Sequence, residues 1–116
     1  MKYLMLLCWD ADKMDAQKEP ESTETSDEAS FPWLEELQSR GKWIIGDQLA
    51  PPRRARSVHV RNGKAVVTTG PFAKTEEAVG GFDIIECDNL DEAVEIAAAH
   101  PVAQAGTIEV RPFWGN

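Results

Sequence analysis

Short apolar runs separated by polar segments make up most of the chain, and their lengths predict strands. Lys2 to Trp9 is nearly all apolar and too short for a helix, so it predicts a strand covered on both faces. Similar short runs predict two further strands. One covers residues 43–45 and is ended by Gly46, and the other covers residues 82–87 and follows Gly80-Gly81. The alternating segment 107–113 predicts the last strand.

Residues 57–69 predict a β-hairpin. Asn62 and Gly63 favour the left-handed conformations of a type I′ turn, and Val58 and Val60 alternate before them. Gly70-Pro71-Phe72 then interrupts the pattern and ends the hairpin.

Two segments have the apolar spacing of amphipathic helices. The first covers residues 31–40 between a Ser30 cap and a Gly41 stop, and its predicted inner face is Phe31, Leu34, Leu37 and Gln38. The second follows a cap at Asp88 or Asn89 and ends at Pro101, and its predicted inner face is Leu90, Ala93, Val94, Ala97 and Ala98.

The element order is therefore β-α-β, hairpin, β-α-β in a single domain over residues 1–116. The simplest packing is an α+β, ferredoxin-like antiparallel sheet with both helices on one face and an extra hairpin. Cys8 and Cys87 then lie at opposite ends of antiparallel strands, which excludes a disulfide between them.

The net charge of the chain argues against some classes of binding partner. Twelve Lys and Arg against twenty Asp and Glu give a net charge of −8, which argues against nucleic-acid and anionic-membrane binding. The longest apolar run, Tyr3 to Trp9, is far shorter than the ~20 residues that span a bilayer. We expect a cytoplasmic protein whose sequence starts at its mature N-terminus.

Much of the negative charge falls in residues 10–29, which contain eight acidic residues and two lysines. This composition predicts an acidic mobile loop. The residues between Asp47 and Glu76 carry only basic charges. Either both segments are simply solvated, or the acidic loop of one subunit lies on the basic hairpin of another.

The two helices cover only one face of the sheet, so the apolar side chains on the second face must be covered in another way. Thr107, Glu109, Arg111 and Phe113 share that face on the last strand. A sheet face that combines aromatic and ionisable side chains in this way is a homodimer interface, the lining of a cleft, or both.

Three side chains are the candidates for acid–base catalysis. His100 ends the second helix at the sheet edge where we expect Asp10 and Asp83, so it has carboxylates near it for proton transfer. The alternative is a histidine that only interacts with the helix-terminal carbonyls.

Arg111, with Glu109 and Phe113, is the candidate substrate-binding group. It would clamp the carboxylate of a small organic anion, or it forms an ion pair with Glu109. The sequence has no metal-spaced or cofactor-binding motif, so we expect neither metal nor cofactor.

Four segments together resemble the DGPF-type branch of the YCII-related proteins. They are Thr68–Glu77, Gly80-Gly81-Phe82, Asn89–Ala93 and Gly106–Trp114, with the opening strand fitting as well. The resemblance covers nearly the whole chain and implies a dimeric α/β barrel of ferredoxin-like subunits packed sheet to sheet. Some relatives in the wider superfamily act on small ring compounds.

The sequence departs from the family pattern in ways that affect the site. Thr69 stands where the signature has an aspartate, the first helix has no histidine, and His100 precedes Pro101 where relatives carry an aspartate. The family's histidine–aspartate pair is thus not carried over. Two function classes remain: a binder or enzyme for a small organic anion, and a non-catalytic interaction protein accessory to transcription regulation.

Overall fold

The computed structural model describes residues 1–17 and 31–115. The chain runs through β1 (Lys2–Asp10), α1 (Ala11–Ala16), α2 (Phe31–Ser39), β2 (Trp43–Gln48), β3 (Arg56–Arg61), β4 (Lys64–Thr69), β5 (Glu77–Glu86), α3 (Leu90–Ala98), α4 (Val102–Ala105) and β6 (Thr107–Pro112), with a 3-10 turn at Pro52–Arg54. The predicted order is confirmed, and the short helices α1 and α4 are additions to it.

Four strands form one antiparallel sheet in the order β2-β5-β1-β6, while β3 and β4 pair separately as a hairpin. This is the predicted ferredoxin-like sheet. The core lies between one face of it and α2 and α3, where Met5 and Ile85 are completely buried against Trp33, Leu37 and Ile96. We call this the helix face and the other the open face.

The hairpin turn follows the prediction. Asn62 has φ 53° and Gly63 has φ 74°, the two positive values that a type I′ turn needs. The strands on either side pair in register from Arg56 with Thr69 to Arg61 with Lys64.

β2 and β5 are longer than predicted, because glycines expected at their ends lie inside them. A Cβ at Gly80 would stand 2.4 Å from the Trp9 ring, and one at Gly46 would stand 2.1 Å from Asp83 Oδ1. These glycines continue the strands while making room for large side chains on the neighbouring strand.

The predicted acidic loop at 10–29 is wrong at its start, since Ala11–Ala16 forms α1. Met14 is 2% exposed and anchors this helix. Its C-terminal end touches the basic region: Asp15 Oδ1 accepts a 2.8 Å hydrogen bond from the Arg53 backbone, and the Arg53 guanidinium donates to the Gln17 carbonyl at 3.1 Å. Residues 18–29 of the predicted loop lie outside the described residues.

The inner faces of the two long helices differ from the predicted ones. On α2, Trp33 and Leu37 are buried and Gln38 is exposed. On α3 the buried side chains are Ala93, Ile96 and Ala97, while Leu90, Val94 and Ala98 are exposed. Each helix is thus rotated so that its largest apolar residue, Trp33 or Ile96, points to the sheet.

Both cysteines are free thiols, as expected. Cys8 pairs with Val79 at one end of β1, whereas Cys87 lies beyond the other end, where its backbone N–H bonds to the Met1 carbonyl. In the described ranges, no helix has the length and apolar character that crossing a membrane requires.

Candidate functional site

Asp83 is a buried carboxyl group on the helix face of the sheet. Its position in the middle of β5 pairs it with Met5 on β1 and Gly46 on β2. The side chain is 8% exposed, and Trp43 Nε1 donates to its Oδ1 at 2.9 Å. Burial raises the pKa of Asp83 to about 6, against the lowering effect of the Trp43 hydrogen bond. The group therefore titrates close to neutral pH.

His100 is the second buried polar side chain, held at the junction of α3 and α4. It is 4% exposed, and its ring meets the Trp33 ring edge to face at 4.6 Å and 75°. The Val102 backbone N–H donates to His100 Nδ1 at 3.0 Å. In the neutral ring, the proton therefore sits on Nε2.

Asp83 and His100 line one cavity of about 190 Å³ between the sheet and α2. We call it the helix-side cavity. Trp9, Trp33 and Trp43 form much of its wall, and the exposed Asp47 lies at its rim. A carboxyl group that titrates near pH 6 and a buried imidazole in one aromatic-walled space can accept and donate protons to a small bound molecule.

Asp10 has a different position from the other two candidate acid–base residues. Its Oδ1 accepts the Lys13 backbone N–H at 2.9 Å, so its side chain is the N-cap of α1. It does not belong to the wall of the helix-side cavity. The structure thus joins Asp83 with His100 and gives Asp10 a structural task.

Within a single subunit, Arg111 lies apart from His100 and Asp83. On β6, Glu109 and Arg111 pair with Leu6 and Leu4, which alternate with the buried Met5 next to Asp83. Glu109 and Arg111 therefore lie on the open face, on the opposite side of the sheet from the helix-side cavity.

The side chains on the open face form the ion pair that the sequence left as an alternative. Arg111 Nε lies 3.8 Å from Glu109 Oε2, and both side chains are largely exposed. Phe113, just beyond β6, is 41% exposed.

The tryptophans and Gly46 were not among the predicted site residues. Trp43 holds the carboxyl of Asp83, and Gly46 leaves the space that this carboxyl occupies. Four tryptophans in 116 residues are the one signal that pointed to an aromatic site, and three of them line this cavity. In the part of the chain that the structure describes, no three His, Cys, Asp or Glu side chains are grouped as a metal site.

Comparison with known proteins gives a family, a relative and a structural neighbour. The sequence model of the YCII-related domain matches residues 1–115. An uncharacterized protein of Rhizobium meliloti (strain 1021) is 39% identical in an alignment of 70 residues that covers 57% of this chain and 55% of that protein. The chain thus spans about half the length of this relative.

One structural neighbour is 5-chloro-2-hydroxyhydroquinone dehydrochlorinase from Burkholderia phenoliruptrix AC1100, solved in complex with 2,5-dihydroxybenzoquinone. It superposes with a TM-score of 0.54 over 100% of this chain and 96% of that one, at 16% sequence identity. At this identity the likeness establishes a shared fold.

Proposed function

Because this chain belongs to the YCII-related domain family, we propose that it is an enzyme for a small ring compound, with its chemistry in the helix-side cavity. The observation that carries the proposal is that Asp83 and His100, both buried, line the same aromatic-walled cavity. Buried titratable groups that line a cavity are typical of catalytic sites.

The cavity favours a hydroxylated ring over the organic anion that the sequence suggested. Its buried charge is the Asp83 carboxylate, which repels an anion, and Arg111 lies on the other face of the sheet. Tryptophan side chains provide flat apolar surfaces for a planar ring. The neighbouring dehydrochlorinase, whose complex holds a dihydroxylated quinone, supports the same substrate class.

The proposed reaction begins with a proton transfer. The Asp83 carboxylate accepts the proton of a ring hydroxyl, which leaves a carboxylic acid and a ring oxyanion. His100, with its proton on Nε2, donates a hydrogen bond to the oxyanion. The Asp83 carboxylic acid then returns its proton to a ring carbon, which gives the keto tautomer, and reversal of this step exchanges a ring hydrogen with solvent.

The test measures binding of hydroquinone and chlorinated hydroquinones, and turnover as the exchange of ring hydrogen for deuterium in D2O, under anaerobic conditions. Binding is followed by quenching of tryptophan fluorescence, with Trp114→Phe as background to remove the fully exposed indole. We expect Asp83→Asn to lower turnover at least a hundredfold, the usual contribution of a general base. Asp88→Asn is the control, because it makes the same change at an exposed carboxylate outside the lining of this cavity.

The rate of the wild-type protein also has an expected pH dependence. Asp83 must be ionised to act as a base, so the rate should rise with pH through about 6 and then level off. Failure of every hydroxylated ring to bind, or equal turnover by Asp83→Asn and the wild type, would contradict the proposed function.

A further inference from the structure

A second and larger cavity opens on the other side of the sheet. Its volume of about 490 Å³ lies in the range of small-molecule sites. Cys8, Glu77 and Val79 form its floor, where β1 ends and β5 begins, and the segments 49–55 and 71–75 form its walls. We call it the open-face cavity.

The walls of this cavity are held in place by the chain itself. The Leu49 backbone N–H bonds to the Gly80 carbonyl at 2.9 Å, and the Gly70 N–H bonds to the Ala55 carbonyl at 2.8 Å. Three prolines in the lining, at 51, 52 and 71, further restrict the two segments. A site whose walls are already ordered loses little entropy when a ligand binds.

A carboxylate, that of Glu77, lies at the floor of the cavity beside Cys8. Burial raises the pKa of the Cys8 thiol first, and the carboxylates of Glu77 and Glu109 raise it further. The thiol is therefore mostly protonated at neutral pH, so it is a weak donor and only a slow nucleophile. Thr107 Oγ1 donates to Glu77 Oε1 at 2.7 Å, which fixes the carboxylate at the floor.

We propose that the open-face cavity binds a small apolar amine, with its ammonium group paired to Glu77 and its hydrocarbon body against the apolar walls. Most of the lining is proline, alanine and other apolar residues, so a hydrated anion gains little there. Arg54 is part of the lining as an exposed side chain, where solvent screens its charge more strongly than that of the floor carboxylate.

This site is independent of the proposed reaction. Cys8 faces the open-face cavity, whereas its neighbours Leu7 and Trp9 line the helix-side cavity, so the sheet separates the two spaces. A ligand in one therefore does not touch Asp83 or His100 in the other, and each proposal fails or stands by itself.

The first experiment titrates the full chain with benzylamine, benzyl alcohol and benzoate, which share one ring and differ in charge. We expect benzylamine to bind at least tenfold more tightly than the other two. Glu77→Gln should weaken benzylamine at least tenfold while keeping an acceptor for Thr107. Glu76→Gln, an exposed neighbour outside the lining, and Asp83→Asn should leave binding unchanged.

The second experiment uses the two cysteines to locate the amine. Cys8 is half-buried at the cavity floor and Cys87 is buried in the core, so alkylation by iodoacetamide followed by peptide mapping reports on each separately. Saturating benzylamine should slow alkylation of Cys8 severalfold and leave Cys87 unchanged. Tighter binding of benzoate than benzylamine, or no protection of Cys8, would overturn the proposal.

Discussion

At the scale of single residues, the unusual feature is a carboxyl group buried where a core residue is expected. Asp83 takes a position on β5 between the apolar Gly81 and Ile85, on the side of the sheet that the helices cover. The core tolerates it because Trp43 donates a hydrogen bond and Gly46 leaves room for its oxygen. A residue kept at the expense of stability in this way is typical of a functional site.

We expect Asp83→Asn to stabilise the protein at neutral pH. The pKa of Asp83 is about 6 in the folded protein and 3.8 in the unfolded chain. Protonation of Asp83 therefore stabilises the folded state fully below about pH 4, and this stabilisation is lost as the pH rises through about 6. The loss amounts to about 2–3 kcal/mol, and the asparagine avoids it. The measurement is the free energy of unfolding in urea at pH 4 and pH 7.5.

The control for this prediction is Asp47→Asn, which removes a carboxylate from an exposed position at the rim of the same cavity. It should leave the difference between the two pH values as in the wild type. An Asp83→Asn variant with the wild-type pH dependence would show that Asp83 is not the buried titrating group.

Trp43 should set the pKa of Asp83 through its hydrogen bond. Its N–H stabilises the charged carboxylate, so Trp43→Phe is expected to raise the pKa of Asp83 above about 6 by about one pH unit. The carboxyl carbon-13 resonance of Asp83 measures this directly. Trp33→Phe is the matched control, because the Trp33 indole donates to the Ile96 carbonyl at 2.8 Å instead. Equal titration curves in Trp43→Phe and the wild type would refute the assignment.

At the scale of elements, helix termini and strand register decide where each candidate residue acts. Asn89 Oδ1 accepts the Glu92 N–H at 2.8 Å and begins α3, as one of the two predicted caps. Asp10 is likewise the N-cap of α1, a six-residue helix that is too short to be predicted from its apolar spacing. A carboxylate at the start of a helix is therefore explained without catalysis.

We expect Asp10→Ala to lower the free energy of unfolding by about 1 kcal/mol, the usual value of an N-cap. Asp10→Asn keeps a side-chain oxygen for the Lys13 N–H, so its stability should remain near that of the wild type. Urea denaturation compares the two. If Asp10→Asn is stable but inactive toward a substrate of the wild type, Asp10 takes part in the chemistry after all.

At the scale of the whole molecule, the open face is the surface that a second copy would cover. Leu4, Leu6, Phe82 and Ile84 are half-buried there, and Ile45 and Phe113 are exposed. Near them lie Glu109 and Arg111, whose opposite charges can pair with the same residues of a second copy across a two-fold axis. We therefore propose a homodimer formed through this face.

The dimer should respond to a single charge reversal. Glu109→Arg places two arginines of each copy on the proposed interface, and like charges there are expected to shift the protein toward monomer. Glu35→Arg makes the same change on the exposed surface of α2 and should have no effect. Sedimentation at micromolar concentration measures both variants, and a monomeric wild type would contradict the proposal.

The same Glu109→Arg variant separates the interface from the chemistry. Because the sheet lies between Glu109 and the helix-side cavity, the monomer should still bind hydroxylated rings.

The order of the elements, the hairpin turn and the antiparallel pairing could be predicted from the sequence, since hydrophobic spacing, caps and Asn-Gly turns are local signals.

The sequence by itself determined the order of the strands and of the two long helices, and it placed Asp83 and His100 among the candidate site residues. Only the tertiary structure decided that these two share a cavity with Trp43 while Arg111 lies on the opposite face of the sheet. The physical reason is that these side chains come from separate elements and are brought together, or kept apart, by strand register. The glycines at 46 and 80 continue strands that local propensity would end, because neighbouring side chains fill the space of their missing Cβ atoms.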